Sequence, residues 1–195
     1  IGCDFYVFSG HKLYAPTGIG AVYMRREIQQ TLPPWQGGGN MIRTVSFDHT
    51  TYNDPPARFE AGTPSIADAV GLHAAIDYIS AVGWPAIQHH EHQLLEYAIM
   101  RLRSVPGLRM IGNPRHRVGV LSLVLPGLEP EKTGQLLDQQ GIAVRAGHHC
   151  AQPSLQRFNL TATVRPSFGL YNTHNDIDRL TDALIQITAQ HTRLR

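Results

Sequence analysis

The stretch from Thr63 to Val105 carries helical periodicity broken once, at Gly83-Trp84-Pro85, and that break constrains everything on either side of it. Thr63-Pro64 reads as a helix start. Ile66, Ala69, Val70, Ala74, Ile76 and Ile79 then populate a largely apolar helix that Gly83 ends. From Pro85 to Val105 the residues Leu94, Leu95, Ala98, Ile99 and Leu102 fall on one side, which predicts a long amphipathic helix bridging two layers. The chain therefore divides into a strand-and-loop portion, residues 1–84, and a portion at 85–195 that reads as a small α+β domain.

In the first portion, Asp4 to Phe8 is an aromatic and β-branched run ending at "SGHK", a small-residue turn that places Lys12 just past the strand. In open α/β sheets that edge is where ligands bind. Thr17 to Arg25 reads as a second strand entered through glycines, and Leu32 to Ile42 is a Pro/Gly loop unfit for a helix interior. In the second portion, Gly119–Leu125, Gly141–Gly147 and Thr163–Asn172 read as strands, and 129–140 and 177–188 as helices. The opening "IGCDFYVF" lacks Met and enters a strand without a polar lead-in, which predicts that an upstream portion is missing.

Composition narrows the function classes. The chain has 195 residues, 42% hydrophobic, with 17 Lys+Arg against 15 Asp+Glu for a net charge of +2. That is ample for a packed core. No basic run or aromatic-basic stripe tracks a phosphate backbone, so nucleic acid is not an expected partner. No apolar run approaches the roughly 20 residues of a membrane helix, and no membrane partner is expected. Two cysteines, Cys3 and Cys150, do not make a disulfide framework; free thiols and a cytoplasmic location are expected.

Chemistry concentrates in two strings. Lys12 follows His11 in a Gly-containing turn, where an amine can lose its proton if the pocket is dry or already cationic. Such lysines condense with aldehydes. In "RAGHHCAQP", Arg145 to Pro153, Cys150 follows two histidines, a glycine and an arginine. Cationic and imidazole neighbours can stabilise a thiolate, whereas apolar burial suppresses it, so the residues alone leave a packed thiol and a nucleophile both open. A metal cluster of His148, His149 and Cys150 is not expected, because consecutive strand residues point to alternating faces. His89 and His92 in "HHEH" read as a solvated helix face, and Cys3 as a packed core residue. Gly37 to Gly39 lack the GK[ST] of a P-loop and are expected to let a loop approach a neighbouring subunit.

The string "DFYVFSGHKLYAPTGIGAVYMR" resembles the cofactor-lysine segment of class V, fold-type I pyridoxal-phosphate enzymes, and specifically the group II cysteine desulfurases of the SufS and selenocysteine-lyase kind. "PPWQGGGNMI", "RFEAGTP", "GIAVRAGHHCAQP" and "VRPSFGLYNT" resemble further motifs of that family, in its order, over essentially the whole chain. The resemblance implies an α/β fold: the C-terminal part of a fold-type I transferase, with an incomplete large-domain sheet at 1–84 and the small α+β domain at 85–195. It implies pyridoxal 5′-phosphate bonded to Lys12, its phosphate held with the help of Ser9 and His11, and Thr63 reaching the partner subunit's cofactor in a homodimer. Arg165 matches the residue that binds the substrate carboxylate, Arg145 is a second candidate for substrate, and Cys150 matches the nucleophile that takes sulfur as a persulfide. A guanidinium grips a carboxylate through two parallel hydrogen bonds, as a lysine cannot.

The activity so implied converts L-cysteine to L-alanine for iron-sulfur cluster assembly, with selenocysteine as a further substrate and a sulfur-acceptor protein of the SufE/SufU kind as partner. The family's groups that stack on the pyridine ring and pair with its nitrogen find no match here, and without that carboxylate the electron sink is weakened. Two other readings follow: a sulfur-acceptor-docking domain that no longer binds the cofactor, and another class V enzyme such as a transaminase or kynureninase. The last does not require a thiol at this loop.

Overall fold

The structure is a computed structural model that describes residues 2–193; Ile1, Leu194 and Arg195 lie outside the described residues. It divides into two compact units, Ile1–Gly83 and Trp84–Arg195. The mixture of strands and helices expected from sequence forms, in smaller pieces than the periodicity suggests.

The first unit opens with β1 (Phe5–Ser9) and β2 (Gly20–Met24), an antiparallel pair in register from Phe5↔Met24 to Ser9↔Gly20. A 3-10 turn, Gly10–Leu13, leaves β1 and ends at Tyr14, whose φ of 61° is left-handed. Glycine is required at the turn's start: a Cβ on Gly10 would lie 2.8 Å from Ile19 Cγ2, where the Gly10 N–H donates to the Ile19 carbonyl at 2.8 Å. Helix α1 (Arg26–Thr31) follows, with Gln29 Nε2 donating to the Met24 carbonyl at 2.7 Å.

The Pro/Gly segment then leads into a hairpin not expected from the sequence pattern, β3 (Ile42–Val45) and β4 (Thr50–Tyr52). Its turn is closed by Ser46 Oγ, which accepts from the His49 N–H at 3.0 Å. Helix α2 (Ile66–Val82) begins beside a Ser65 Oγ to Asp68 Oδ2 bond of 2.6 Å and stops at Gly83, whose φ of 89° few other residues adopt.

The second unit holds a four-stranded antiparallel sheet in the order β5-β6-β8-β7. Its strands are short: β5 (Arg109–Met110), β6 (Leu123–Val124), β7 (Arg145–Gly147) and β8 (Thr163–Arg165). Beyond Arg165 the regular strand gives way to an isolated antiparallel bridge, Val120↔Ser167, with the Leu121 N–H donating to the Pro166 carbonyl at 3.1 Å. The helices are α3 (Trp84–Leu102), α4 (Pro130–Asp138), α5 (Gln152–Arg157) and α6 (His174–Arg193).

Leu94, Leu95, Ala98, Ile99 and Leu102 of α3 share one buried cluster with Leu123, Val164, Phe168 and the apolar face of α6, Ile177, Leu180, Ala183, Leu184 and Ile187. Helix α6 starts three residues ahead of the apolar periodicity, at a capping arrangement in which the Thr173 N–H donates to Asp176 Oδ2 at 2.8 Å. Across the α3–α6 contact, Asp178 accepts from Tyr97 Oη at 2.8 Å and pairs with Arg101 Nε at 2.7 Å.

Candidate functional site

The candidate residues fall into two groups, one in each unit. In the first unit, Ser9 ends β1 half-buried, and His11 and Lys12 sit exposed on the 3-10 turn that follows. The backbone that presents them is held locally: besides the Gly10 bond, the Ala15 N–H closes on the Gly10 carbonyl at 3.1 Å. Pro16 packs against α2 so closely that a Cβ on Gly71 would come within 2.5 Å of Pro16 Cγ. A hydroxyl, an imidazole and a primary amine are thereby displayed within four residues of a fixed turn.

Thr63 is held by a different set of contacts. The Gly62 N–H donates to the Gly39 carbonyl at 2.8 Å, and Asn40 Nδ2 donates to the Gly62 carbonyl at 3.0 Å. A Cβ on Gly38 would meet the Ala61 Cβ at 2.9 Å. Gly38, within the glycine run, thus makes a close approach inside its own chain. Thr63 itself is exposed ahead of α2.

In the second unit, the β7–β8 pairing sets Arg145 directly opposite Arg165, Ala146 opposite Val164 and Gly147 opposite Thr163. Like charges at directly opposed positions destabilise a sheet, and neither guanidinium has a carboxylate partner among the described residues. Such a pair is suited to an anion supplied from outside. Arg165 is half-buried and Arg145 exposed.

Beyond Gly147 the chain leaves the strand. The expectation that His148, His149 and Cys150 lie on alternating strand faces is corrected: they form a tight turn, with φ of 54° at His149 and 55° at Cys150. The turn is closed by the Ala151 N–H on the His148 carbonyl at 2.9 Å and by the Cys150 N–H on His148 Nδ1 at 3.0 Å. Among the described residues no group of three or more His, Cys, Asp and Glu side chains is placed to hold a metal ion. Cys150 is exposed, so the packed-thiol alternative does not describe it; Cys3 is half-buried.

His149 points its Nε2 at Thr163, 3.0 Å from both the carbonyl and Oγ1. Burial pushes its pKa down from the ordinary histidine value; the Thr163 carbonyl opposes this, and Arg165, Arg145 and His148 add to it. Its Nδ1 is buried with no partner among the described residues. The role of Thr163 was missed from sequence, because it depends on the pairing of strands far apart in the chain. None of these residues lines a cleft of about 660 Å³ that lies in the second unit between Gly107, Leu125–Pro130 and Asn159–Ala162.

The aminotransferase class-V family model matches residues 1–180. A cysteine desulfurase of Synechococcus elongatus is 53% identical over 187 residues, covering 96% of this chain and 30% of that protein. A cysteine desulfurase of Escherichia coli O8 is 49% identical over 188 residues, covering 96% of this chain and 46% of its own length. Among solved structures, the apo cysteine desulfurase of Thermococcus onnurineus NA1 superposes with a TM-score of 0.91 at 38% identity, over 96% of this chain and 47% of that one. The cysteine desulfurase CsdA of Escherichia coli, in its S-sulfonic acid form, gives 0.89 at 38%, over 96% and 46%. The chain thus spans between about a quarter and a half of the length of the relatives it matches.

Proposed function

The chain belongs to the class-V aminotransferase family, and we propose that it carries the cofactor lysine and the sulfur-accepting cysteine of a cysteine desulfurase. The reaction converts L-cysteine to L-alanine and leaves the sulfur as a persulfide on Cys150. The observation that carries this reading is the opposed Arg145–Arg165 pair next to an exposed thiol in a left-handed turn. Two opposed guanidiniums suit a carboxylate, and an exposed thiol is open to a small amino acid.

The donor set in the first unit fits pyridoxal 5′-phosphate: the Lys12 amine suits its aldehyde, and the Ser9 hydroxyl and His11 imidazole suit its phosphate, all on one locally fixed turn. When bound, the cofactor supplies an electron sink for bond breaking at the substrate's carbons. Lys12 Nζ anchors it and carries protons to and from the substrate Cα. Arg165, aided by Arg145, grips the substrate carboxylate and so fixes which bond faces the reacting groups.

Cys150 Sγ, as thiolate, forms an S–S bond to the substrate sulfur. The substrate's Cβ–S bond breaks, its electron pair stays with carbon, and that carbon takes up a proton to become the methyl group of alanine. One cysteine and one enzyme thiol give one alanine and one persulfide; carbon is reduced and sulfur oxidised, with no outside oxidant. Selenocysteine fits the same site. The persulfide passes to an acceptor protein of the SufE/SufU kind for iron-sulfur cluster assembly in the cytoplasm, and Thr63 reaches the cofactor of the partner subunit in a homodimer.

The test is to load the protein with pyridoxal phosphate, add L-cysteine, and measure alanine together with the mass of the Cys150 peptide. The first turnover should yield alanine and Cys150 persulfide in equal amounts. Cys150→Ser should abolish the persulfide, Lys12→Ala the cofactor's visible absorbance band, and Arg165→Lys should raise KM. A protein that binds an acceptor but neither cofactor nor cysteine would be the docking domain instead.

A further inference from the structure

Two consecutive non-glycine residues in the left-handed region, His149 and Cys150, form a backbone that L side chains adopt only when their surroundings enforce it. Both side chains ahead of the cysteine supply that enforcement, through different ring nitrogens. His148 Nδ1 accepts the Cys150 N–H at 3.0 Å, the same i to i+2 closure that an asparagine or aspartate side chain makes in a turn. That nitrogen must carry a lone pair, so it is not the protonated one. His149 uses the other end of its ring: a carbonyl can only accept, so Nε2 carries the proton and donates to Thr163 O at 3.0 Å. One histidine closes the turn on itself; the next ties it to β8, the strand that carries Arg165.

We propose that His148 and His149 are a matched pair of positioning residues that hold Cys150 in its left-handed turn beside the Arg145–Arg165 pair. The inference deepens the desulfurase reading and rests on it for the chemistry, but the clamp itself is a property of this chain. Neither imidazole is a proton carrier in it. Each does a job that one specific amide can copy. The Asn Oδ1 stands where His Nδ1 does, and the Gln Nε2 stands where His Nε2 does.

The experiment follows from that geometry as a crossed set of variants: His148→Asn and His148→Gln, His149→Gln and His149→Asn, in the cofactor-loaded protein. Two quantities are measured. One is hydrogen exchange of the Cys150 amide by NMR, with the amides of α6 as the control for folding. The other is single-turnover persulfide formation on Cys150.

His148→Asn and His149→Gln should keep both near the unmodified protein. His148→Gln and His149→Asn should speed Cys150 exchange by about three- to tenfold, the worth of one hydrogen bond. They should also slow persulfide formation with little change in KM for cysteine. Equal exchange across the set overturns the clamp. Loss of persulfide in all four variants with the exchange pattern intact also overturns the proposal, by making the imidazoles reactants. Persulfide absent even from the unmodified protein defeats the desulfurase reading, while the exchange pattern still decides the clamp.

Discussion

The amine and the thiol sit in two units that are held together by different physics. Among the described residues of the unit Ile1–Gly83, the buried apolar side chains are Met41, Ala75 and Ile79, while Val7 is 69% exposed, Val22 59% and Trp35 95%. Tyr6 and Val7 are neighbours on β1, so they point to opposite faces, and both are exposed. A strand that is apolar on both faces suits a sheet covered on both sides. In the unit Trp84–Arg195, Leu95, Ala98, Leu102, Leu137 and Ile177 are wholly buried around a sheet of four strands. Turn chemistry at Gly10 and Ser46 shapes the first unit; burial shapes the second. The opposed arginines and the thiol therefore rest on a packed scaffold, and the lysine rests on a pair of strands whose apolar faces call for cover.

The largest test of that contrast is to separate the units. Residues 84–195 alone should unfold cooperatively on heating, followed by circular dichroism, and residues 1–83 alone should not. Two-stranded pairs are marginal in water, and among the described residues both sheets of the first unit are such pairs. A cooperative transition for residues 1–83 would break the comparison.

A smaller effect sharpens it from within the whole chain. Leu95→Ala empties a site with no exposure and should cost about 2–5 kcal/mol in urea unfolding, as large-to-small core changes do. Val22→Ala should fall within about 0.5 kcal/mol, the range of surface substitutions. A Val22→Ala cost rivalling that of Leu95→Ala would mean that the β1–β2 face is covered in solution.

The elements that burial dictates were the legible ones. Apolar periodicity located α2 and α3 to within a few residues; on α3 the apolar stripe is the buried face, whereas on α2 Ile66, Val70 and Ile76 are exposed and, of the positions named from sequence, Ile79 is buried. The start of α6 was placed at Ile177, where the apolar stripe begins, but the helix opens at His174. Thr173 and Asp176 carry the capping signal in plain letters, and it was outweighed by the stripe. The β3–β4 hairpin was missed because its residues are largely exposed and show no alternation of apolar and polar; only Ser46 and its turn mark it. Of the expected strand at 119–125, Leu123–Val124 pairs regularly and Val120 bridges Ser167 on its own, while 141–147 shortens to Arg145–Gly147, the part that pairs with β8.

At the site, the roles proposed for Lys12, Cys150, Arg145 and Arg165 come from residue types and motif order. The turn does not. Residue types do not encode two successive left-handed non-glycine residues, and the bond from His149 to Thr163 exists only once β7 has paired with β8.

The smallest expected effect is a pH dependence confined to the packed unit. Burial holds His149 below its ordinary pKa of 6.5, and Arg165, Arg145 and His148 reinforce this. In the unfolded chain the same ring titrates near the ordinary value, so between 6.5 and its lowered native value the unfolded state binds more protons than the folded one. Stability from this residue is therefore fully present above 6.5 and is lost as pH falls through the native value. Protonation would leave Nε2–H on Thr163 and add a third positive charge beside two guanidiniums. His149→Gln keeps the Nε2 donor and removes the titration. The melting temperature of the unmodified protein should accordingly drop more than that of His149→Gln as pH is lowered from 7 to 5, since exposed groups common to both cancel in the difference. Parallel curves would mean that the ring is solvated, and that the second unit is less tightly closed around its thiol than its core implies.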